Sequence, residues 1–322
     1  MELYPGADLI ECEIGGRPLY LPLLREGAEA LMLDCGTLAH AKIDIPKKLE
    51  DLGLGRSSLT WLVVTHPDVD HCGGLAEMKR RYPHLQIACG EADRALVESP
   101  DYLFSFRYDA YRRDHLIFYD TAAARWLREC CSAPQAVTLT FTGGEVIRLG
   151  HDRLLEIIHL PGHSHGHLGV YDRKYHTLYY GDAIQGAGYR SIAGNWALCP
   201  TYLYVNSYLQ TIRTIENFDA ETIVGCHWPV WQGMEQIRAF CVESRNFVAL
   251  ADRQIHAYLD KHTSGATLRE LCEALGSTLG DWAPAINTEL AFAFSGHLER
   301  GISAGTLRAD WSTCPVKYGH RE

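Results

Sequence analysis

Several features that would assign a function class at once are missing from this sequence of 322 residues. Its apolar runs all fall short of the roughly 18 residues that a transmembrane helix requires. Its first residues lack the basic and apolar segments of a secretory signal, so we expect neither a membrane anchor nor export. The pattern G-x-G-x-x-G is also absent, which argues against a dinucleotide-binding turn.

Basic residues are scarce relative to acidic ones, with 30 Lys and Arg against 40 Asp and Glu and a net charge of −10. An acidic surface disfavours nucleic acids and anionic membranes as partners. The 11 cysteines are scattered and include no C-x-x-C pair, which is typical of small buried thiols in a reducing compartment. We therefore predict a cytoplasmic protein that acts on a small molecule.

The segment Thr65–Gly74 (T-H-P-D-V-D-H-C-G-G) is the densest group of polar functional side chains. It follows the apolar run 59–64, which predicts a buried strand. Four side chains that can bind metals fall within six residues: His66, Asp68, Asp70 and His71.

Three later strands also end at residues that can bind metals. His163 follows the predicted strand 154–160, Asp182 follows 177–180, and His227 follows 222–224. Seven such residues, each next to a Gly or Pro turn after a strand, predict one metal site at the edge of a sheet.

Together these segments resemble the metallo-β-lactamase superfamily. Its patterns T-H-x-H-x-D-H-x-G-G, L-P-G-H, G-D and G-H-x-P match at 65–74, 160–163, 181–182 and 225–229, and its early D-x-G turn matches at 34–36. The resemblance covers residues 8–230. It implies an α/β fold, an αβ/βα sandwich in which two mixed sheets face each other with helices outside.

The resemblance also implies a site for two divalent metal ions. His66, residue 68 and His163 would hold the first ion, Asp70, His71 and His227 would hold the second, and Asp182 would bridge them. Asp68 stands where the family usually has His. As a direct ligand, this carboxylate would shift the preference from zinc towards iron or manganese. Alternatively, it acts through a water molecule or orients a metal-bound histidine. His159, His165 and His167 are expected to pack or orient the turn.

The chain is predicted to divide into a catalytic domain over 1–232 and a helical, winged-helix-like module over 233–322. An aromatic-rich helical insert over 100–135 is either a packed helical hairpin or a wall of the substrate site. From Thr263 onward there are five Lys and Arg against seven acids. This balance favours a structural or homodimerisation role for the module over DNA binding.

The predicted function is hydrolysis of an ester, thioester or lactone in a small to medium substrate by a metal-activated water, with Asp70 as the catalytic carboxylate. Alternatives are a diiron oxidoreductase, which Asp68 suggests, a metal-dependent nuclease or phosphodiesterase, and a module that only binds a ligand. The residues predicted to contact substrate are Tyr108, Tyr189, Arg190 and Tyr204.

Overall fold

A seven-stranded mixed sheet forms the first half of the protein, which a computed structural model describes over residues 1–321. Its strands lie side by side in chain order: β1 Glu2–Tyr4, β2 Ala7–Ile14, β3 Arg17–Glu26, β4 Glu29–Leu33, β5 Leu59–Val64, β6 Gln86–Gly90 and β7 Leu139–Phe141. The pairs from β1 to β4 are antiparallel, and those from β4 to β7 are parallel.

A six-stranded sheet faces the first. Its strands are β8 Val146–Leu149, β9 Arg153–His159, β10 Leu168–Asp172 and β11 Thr177–Gly181, and then, after a separate hairpin of β12 Tyr189–Arg190 and β13 Trp196–Leu198, β14 Thr222–Gly225 and β15 Trp231–Gln232. Across this sheet the order is β15-β14-β11-β10-β9-β8. β11 and β14 run parallel, so their carboxyl ends lie at the same edge.

Helices cover the outer faces of both sheets. They are α1 Leu38–Lys42, α2 Asp44–Asp51, α3 Val69–Cys72, α4 Leu75–Arg81, α5 Arg94–Glu98, α6 Pro100–Leu103, α7 Arg112–His115, α8 Thr121–Glu129, α9 Val205–Glu216, α10 Gly233–Lys261, α11 Leu268–Leu279 and α12 Leu290–Ser303. None of the helices within residues 1–321 combines the length and the apolar composition that crossing a membrane requires.

The side-chain alternation of β4 shows how the layers form. Leu31 and Leu33 point into the apolar core between the sheets, whereas Ala30 and Met32 point into the core beneath the helices. A strand that is buried on both faces in this way has a nearly continuous apolar sequence. The predicted αβ/βα sandwich is confirmed.

The insert over 100–135 is helical in short pieces, and one of them, Phe104–Tyr108, is a π-helical turn. In the C-terminal segment, α10 is followed by β16 Ala266–Thr267, α11, α12, β17 Leu307–Asp310 and β18 Lys317–His320, with sheet order β16-β18-β17. These elements agree with a winged-helix-like extension. Phe240 of α10 belongs to the same apolar core as Tyr180 of β11, so this core crosses the predicted boundary. The domain division at 232/233 stays a prediction.

Candidate metal centre

Loops at one edge of the sheets bring all seven predicted ligands together. These loops follow β5, β9, β11 and β14. Their donor atoms form three overlapping groups, within each of which the atoms lie no more than 4.8 Å apart: His66, Asp68 and His163; His66, His71 and Asp182; and Asp70, His71 and His227.

A buried carboxylate beneath the site orients His71. Asp34 Oδ2 lies 2.9 Å from His71 Nδ1, and Asp34 Oδ1 accepts a hydrogen bond from the Thr65 backbone N–H at 2.7 Å. Asp34 has a φ of +59°, a left-handed conformation that Asp tolerates better than most residues. Because a carboxylate accepts the proton on Nδ1, it is Nε2 of His71 that faces the site.

Two further histidines are oriented in the same way. His227 Nδ1 lies 2.7 Å from the backbone carbonyl oxygen of Pro18. A carbonyl can only accept, so Nδ1 carries the proton and Nε2 is free to bind a metal. His66 Nδ1 lies 2.9 Å from the hydroxyl of Thr65, which itself donates to Asp34. The fold thus fixes these imidazoles before any ion binds.

Several buried polar atoms in the site are unsatisfied by protein groups. Within residues 1–321, His66 Nε2, His71 Nε2 and Asp182 Oδ1 have no hydrogen-bond partner. Leaving such groups buried and unpaired costs about 1–3 kcal/mol each. All three belong to one of the ligand groups, and imidazole nitrogens with carboxylate oxygens suit zinc, iron or manganese. These residues therefore fit a divalent metal ion.

Asp68 differs from the other ligands because a cation already contacts it. Arg107 forms a bidentate salt bridge with it: Nε donates to Oδ1, and Nη2 donates to Oδ2 at 2.7 Å. The hydroxyl of Tyr108 donates to Asp68 Oδ1 at 3.1 Å. The π-helical turn directs these consecutive residues, Arg107 and Tyr108, at the same carboxylate.

The charges around the site keep its carboxylates ionised. Burial alone would raise the pKa of Asp68, but the Arg107 guanidinium holds that pKa well below its usual range. Burial opposes ionisation of Asp70 as well, and His71 and His227 hold the pKa of Asp70 below its usual range. Asp68 and Asp70 are therefore charged at neutral pH.

A cavity of about 260 Å³ opens over the ligands. Asp68, Asp70, Asp182 and His227 lie along one side of it. The opposite wall is largely apolar and comes from the insert and the C-terminal segment: Tyr108, Tyr119, Trp126, Leu127, Ile286 and Phe292. The insert thus lines the cavity, which agrees with the interpretation that it forms a wall.

The four residues predicted to contact substrate have different surroundings. Tyr108 and Tyr189 line the cavity, and the Tyr189 hydroxyl donates to Asp182 Oδ2 at 3.0 Å. Arg190 lies outside the cavity, because its guanidinium packs over Trp196 and donates to a backbone carbonyl. Tyr204 is stacked on His165 and lines a different pocket.

The turn that carries His163 contains further polar residues with structural contacts. His167 Nε2 accepts a hydrogen bond from the Asp182 backbone N–H at 3.2 Å, and His159 Nε2 contacts the carbonyl oxygen of His165. Ser164 lies within a G-x-S-x-G sequence, but its hydroxyl donates to Asp93. These contacts position the loops at the sheet edge.

Sequence reasoning missed Arg107, Tyr119 and Glu289. Each lines the cavity but lies far in the chain from the metal motifs. Tyr119 donates a hydrogen bond to Glu289 at 2.9 Å, and this contact links the insert to the C-terminal segment. The density of aromatic residues in the insert was the only sequence signal for this wall.

Comparisons with known proteins agree with this geometry. The sequence profile of the metallo-beta-lactamase superfamily matches residues 23–227. Acyl-coenzyme A thioesterase MBLAC2 of Gallus gallus is 29% identical over 122 residues, which are 38% of this chain and 40% of that protein. A hydroxyacylglutathione hydrolase of Synechococcus sp. is 23% identical over 178 residues, 53% of this chain and 54% of the relative. The chain thus spans about half or less of the length of these curated relatives.

Solved structures share the fold over nearly the whole chain. A metallo-beta-lactamase family protein from Thermus thermophilus superposes with a TM-score of 0.73 at 20% identity and covers 99% of this chain and 100% of its own. A beta-lactamase domain protein from Burkholderia ambifaria has a TM-score of 0.72 at 16% identity, covering 100% and 93%. These likenesses show the shared fold, and the profile match over residues 23–227 shows that the chain belongs to the metallo-β-lactamase superfamily.

Proposed function

We propose that the protein is a metal-dependent hydrolase of acyl thioesters or related esters and lactones of small to medium size. The observation that carries this proposal is the juxtaposition of the ligand cluster with an apolar wall in one cavity. An apolar wall buries an acyl chain, and polar groups at one end position its carbonyl. The names of the two curated relatives denote hydrolysis of acyl conjugates, which supports the same class.

The chain's side chains would divide the work as follows. The donor atoms available to a metal are those of His66, His71, His163, His227, Asp70 and Asp182, with Asp68 contributing directly or by orienting its neighbours. A divalent ion bound there would lower the pKa of a water molecule towards neutrality and polarise the substrate carbonyl. Asp70 would accept the proton of that water, since its carboxylate lies at the cavity surface.

The rest of the cavity would bind and orient the acyl group. Trp126, Leu127 and Phe292 would exclude bulk water from the acyl chain. Hydrolysis would break the carbonyl–sulfur or carbonyl–oxygen bond and add water, giving a carboxylate and a thiol or an alcohol. The substrate is thus expected to be a small molecule.

A substrate panel tests this proposal. Protein loaded separately with Zn²⁺, Mn²⁺ and Fe²⁺ would be assayed against acyl thioesters, lactones and an aryl phosphodiester. We expect turnover of an acyl compound, and its loss by at least 100-fold in Asp70→Asn. The exposed variant Asp51→Asn is the matched control. Turnover of the phosphodiester alone, or of none of the compounds, would contradict the proposal.

A further inference from the structure

Arg107 contacts two of the three residues expected to hold the first metal ion. Besides its paired contacts with Asp68, its Nη2 lies 3.0 Å from His163 Nε2. Its Nη1 lies 3.4 Å from the carbonyl oxygen of His163. One guanidinium nitrogen thus lies within hydrogen-bond distance of both the carboxylate and the imidazole that face this position.

These contacts use the lone pairs that a metal ion would need. Asp68 Oδ1 accepts from Arg107 and from Tyr108, and Oδ2 accepts from Arg107 while lying 2.9 Å from His163 Nε2. If His163 carries its proton on Nδ1, its Nε2 accepts from Arg107. If it carries the proton on Nε2, that nitrogen donates to Asp68. In either tautomer, His163 Nε2 is satisfied without a metal.

The other donor atoms of the site have the opposite character. His66 Nε2, His71 Nε2 and Asp182 Oδ1, which belong to one group, are buried and lack hydrogen-bond partners within residues 1–321. His227 Nε2 lies 3.3 Å from Asp70 Oδ2 and 3.6 Å from Asp182 Oδ2. Asp68 and His163 are thus already paired, whereas these atoms still need a cation, although the family motif treats all the ligands alike.

An ion bound by His163 would also be close to a fixed positive charge. A metal–nitrogen bond is about 2.0–2.1 Å long, so such an ion would lie within about 5 Å of Arg107 Nη2. Two cations at that distance repel each other strongly inside a protein. Arg107 cannot easily withdraw, because only 5% of its surface is exposed and its guanidinium packs 5.5 Å from the ring centre of Phe292.

We propose that the Arg107 guanidinium takes the place of the first metal ion, so that the protein binds a single ion, at Asp70, His71, His227 and Asp182. Asp68 then pairs with an arginine, and His163 orients that arginine. The inference rests on the proposed metal-dependent function and departs from the expectation of two ions. The second positive charge beside the substrate is an organic cation that chelators cannot remove.

Metal content tests this assignment without any substrate. Purified protein would be stripped, loaded with excess Mn²⁺, dialysed and analysed for manganese per chain. We expect one ion per chain in the native protein and two in Arg107→Met, which keeps the length of the side chain but leaves Asp68 and His163 free. Arg112→Met is the control and should bind one ion, since Arg112 lies on the same insert but is exposed and pairs with Asp109 instead of a metal ligand.

Electron paramagnetic resonance of the Mn²⁺-loaded native protein gives a second readout that does not depend on a variant folding. An isolated ion gives an uncoupled six-line spectrum, which we expect. Two ions bridged by Asp182 would be exchange-coupled, and a coupled spectrum or two ions per native chain would overturn the proposal. One ion in folded Arg107→Met would also overturn it. If hydrolysis is never found but these stoichiometries hold, only the proposed reaction fails.

Discussion

His71 Nδ1 lies 2.9 Å from the carboxylate of Asp34, which is completely buried. The same carboxylate accepts hydrogen bonds from the backbone and side chain of Thr65. One acid therefore fixes both the loop after β5 and the imidazole of His71, a predicted metal ligand. Asp34 lies 37 residues before His71 in the sequence, and only the parallel pairing of β4 with β5 brings them together.

Asp34→Asn should weaken metal binding by about 10–100-fold, the usual effect of losing a carboxylate that orients a ligand. The side-chain amide of asparagine must point its NH₂ at Thr65 or at His71 Nδ1, which now donate hydrogen bonds to Asp34. Asparagine tolerates the positive φ, so the backbone should be unaffected. Competition with a chromophoric chelator measures the affinity, and Asp51→Asn on the exposed end of α2 is the control. Equal affinities in the two variants would show that Asp34 does not tune the site.

Arg153→Met should destabilise the fold by about 3–5 kcal/mol, because it removes the cation that pairs with the buried Asp172. Both side chains are fully buried, and Arg153 Nε donates to Asp172 at 2.9 Å. Arg173→Met removes the exposed partner of Glu156 and should change the free energy of unfolding by no more than about 1 kcal/mol. Urea denaturation compares the two, and similar losses would contradict the expected difference.

Glu289 should make stability depend on pH around neutrality. Burial raises the pKa of this carboxyl from 4.5 to about 7, although Tyr119, Arg17 and Arg107 favour ionisation and Asp68 opposes it. Between these values the folded state binds more protons than the unfolded state, so stability falls as pH rises from 4.5 to 7 and then levels off.

Above pH 7, Glu289→Gln should therefore be at least as stable as the native protein. Its free energy of unfolding, relative to that of the native protein, should rise by about 1–3 kcal/mol between pH 4.5 and 7. Glutamine can still accept the hydrogen bond from Tyr119. Thermal or urea unfolding across pH 4–8 measures the difference, with the exposed Glu129→Gln as control. A pH-independent difference would mean that the Glu289 carboxyl titrates normally.

Trp126→Ala should raise KM for long acyl chains by about tenfold, equivalent to 1.4 kcal/mol, and leave short-chain substrates nearly unchanged. Trp126 forms part of the apolar wall, away from the metal ligands. With a series of acyl thioesters of increasing length, the effect would appear as a change in the slope of log KM against chain length. Trp311→Ala, an exposed tryptophan between β17 and β18, should retain the native slope.

The sequence predicted the parts of this molecule that depend on local pattern. Apolar runs that end in Gly or Pro turns located β5, β11 and β14, and the ligands after them converge because the strands share an edge. The hairpin of β12 and β13 could not be predicted from pattern, since strands of two and three residues leave almost no periodicity. Arg107 was not foreseen, because its contact with Asp68 spans 39 residues and depends on a π-helical turn, which no simple periodicity predicts.

The cavity is assembled from two sources that are separate in the chain. The ligands are carried by loops at the ends of strands, while the facing wall comes from the insert and from residues 286–292. Exchange of a surface segment therefore need not disturb the atoms that would carry out the reaction. If the proposed function holds, a grafted insert that keeps Arg107 and Tyr108 and varies Tyr119–Leu127 should change which substrates bind, while the residues at the sheet edge stay the same.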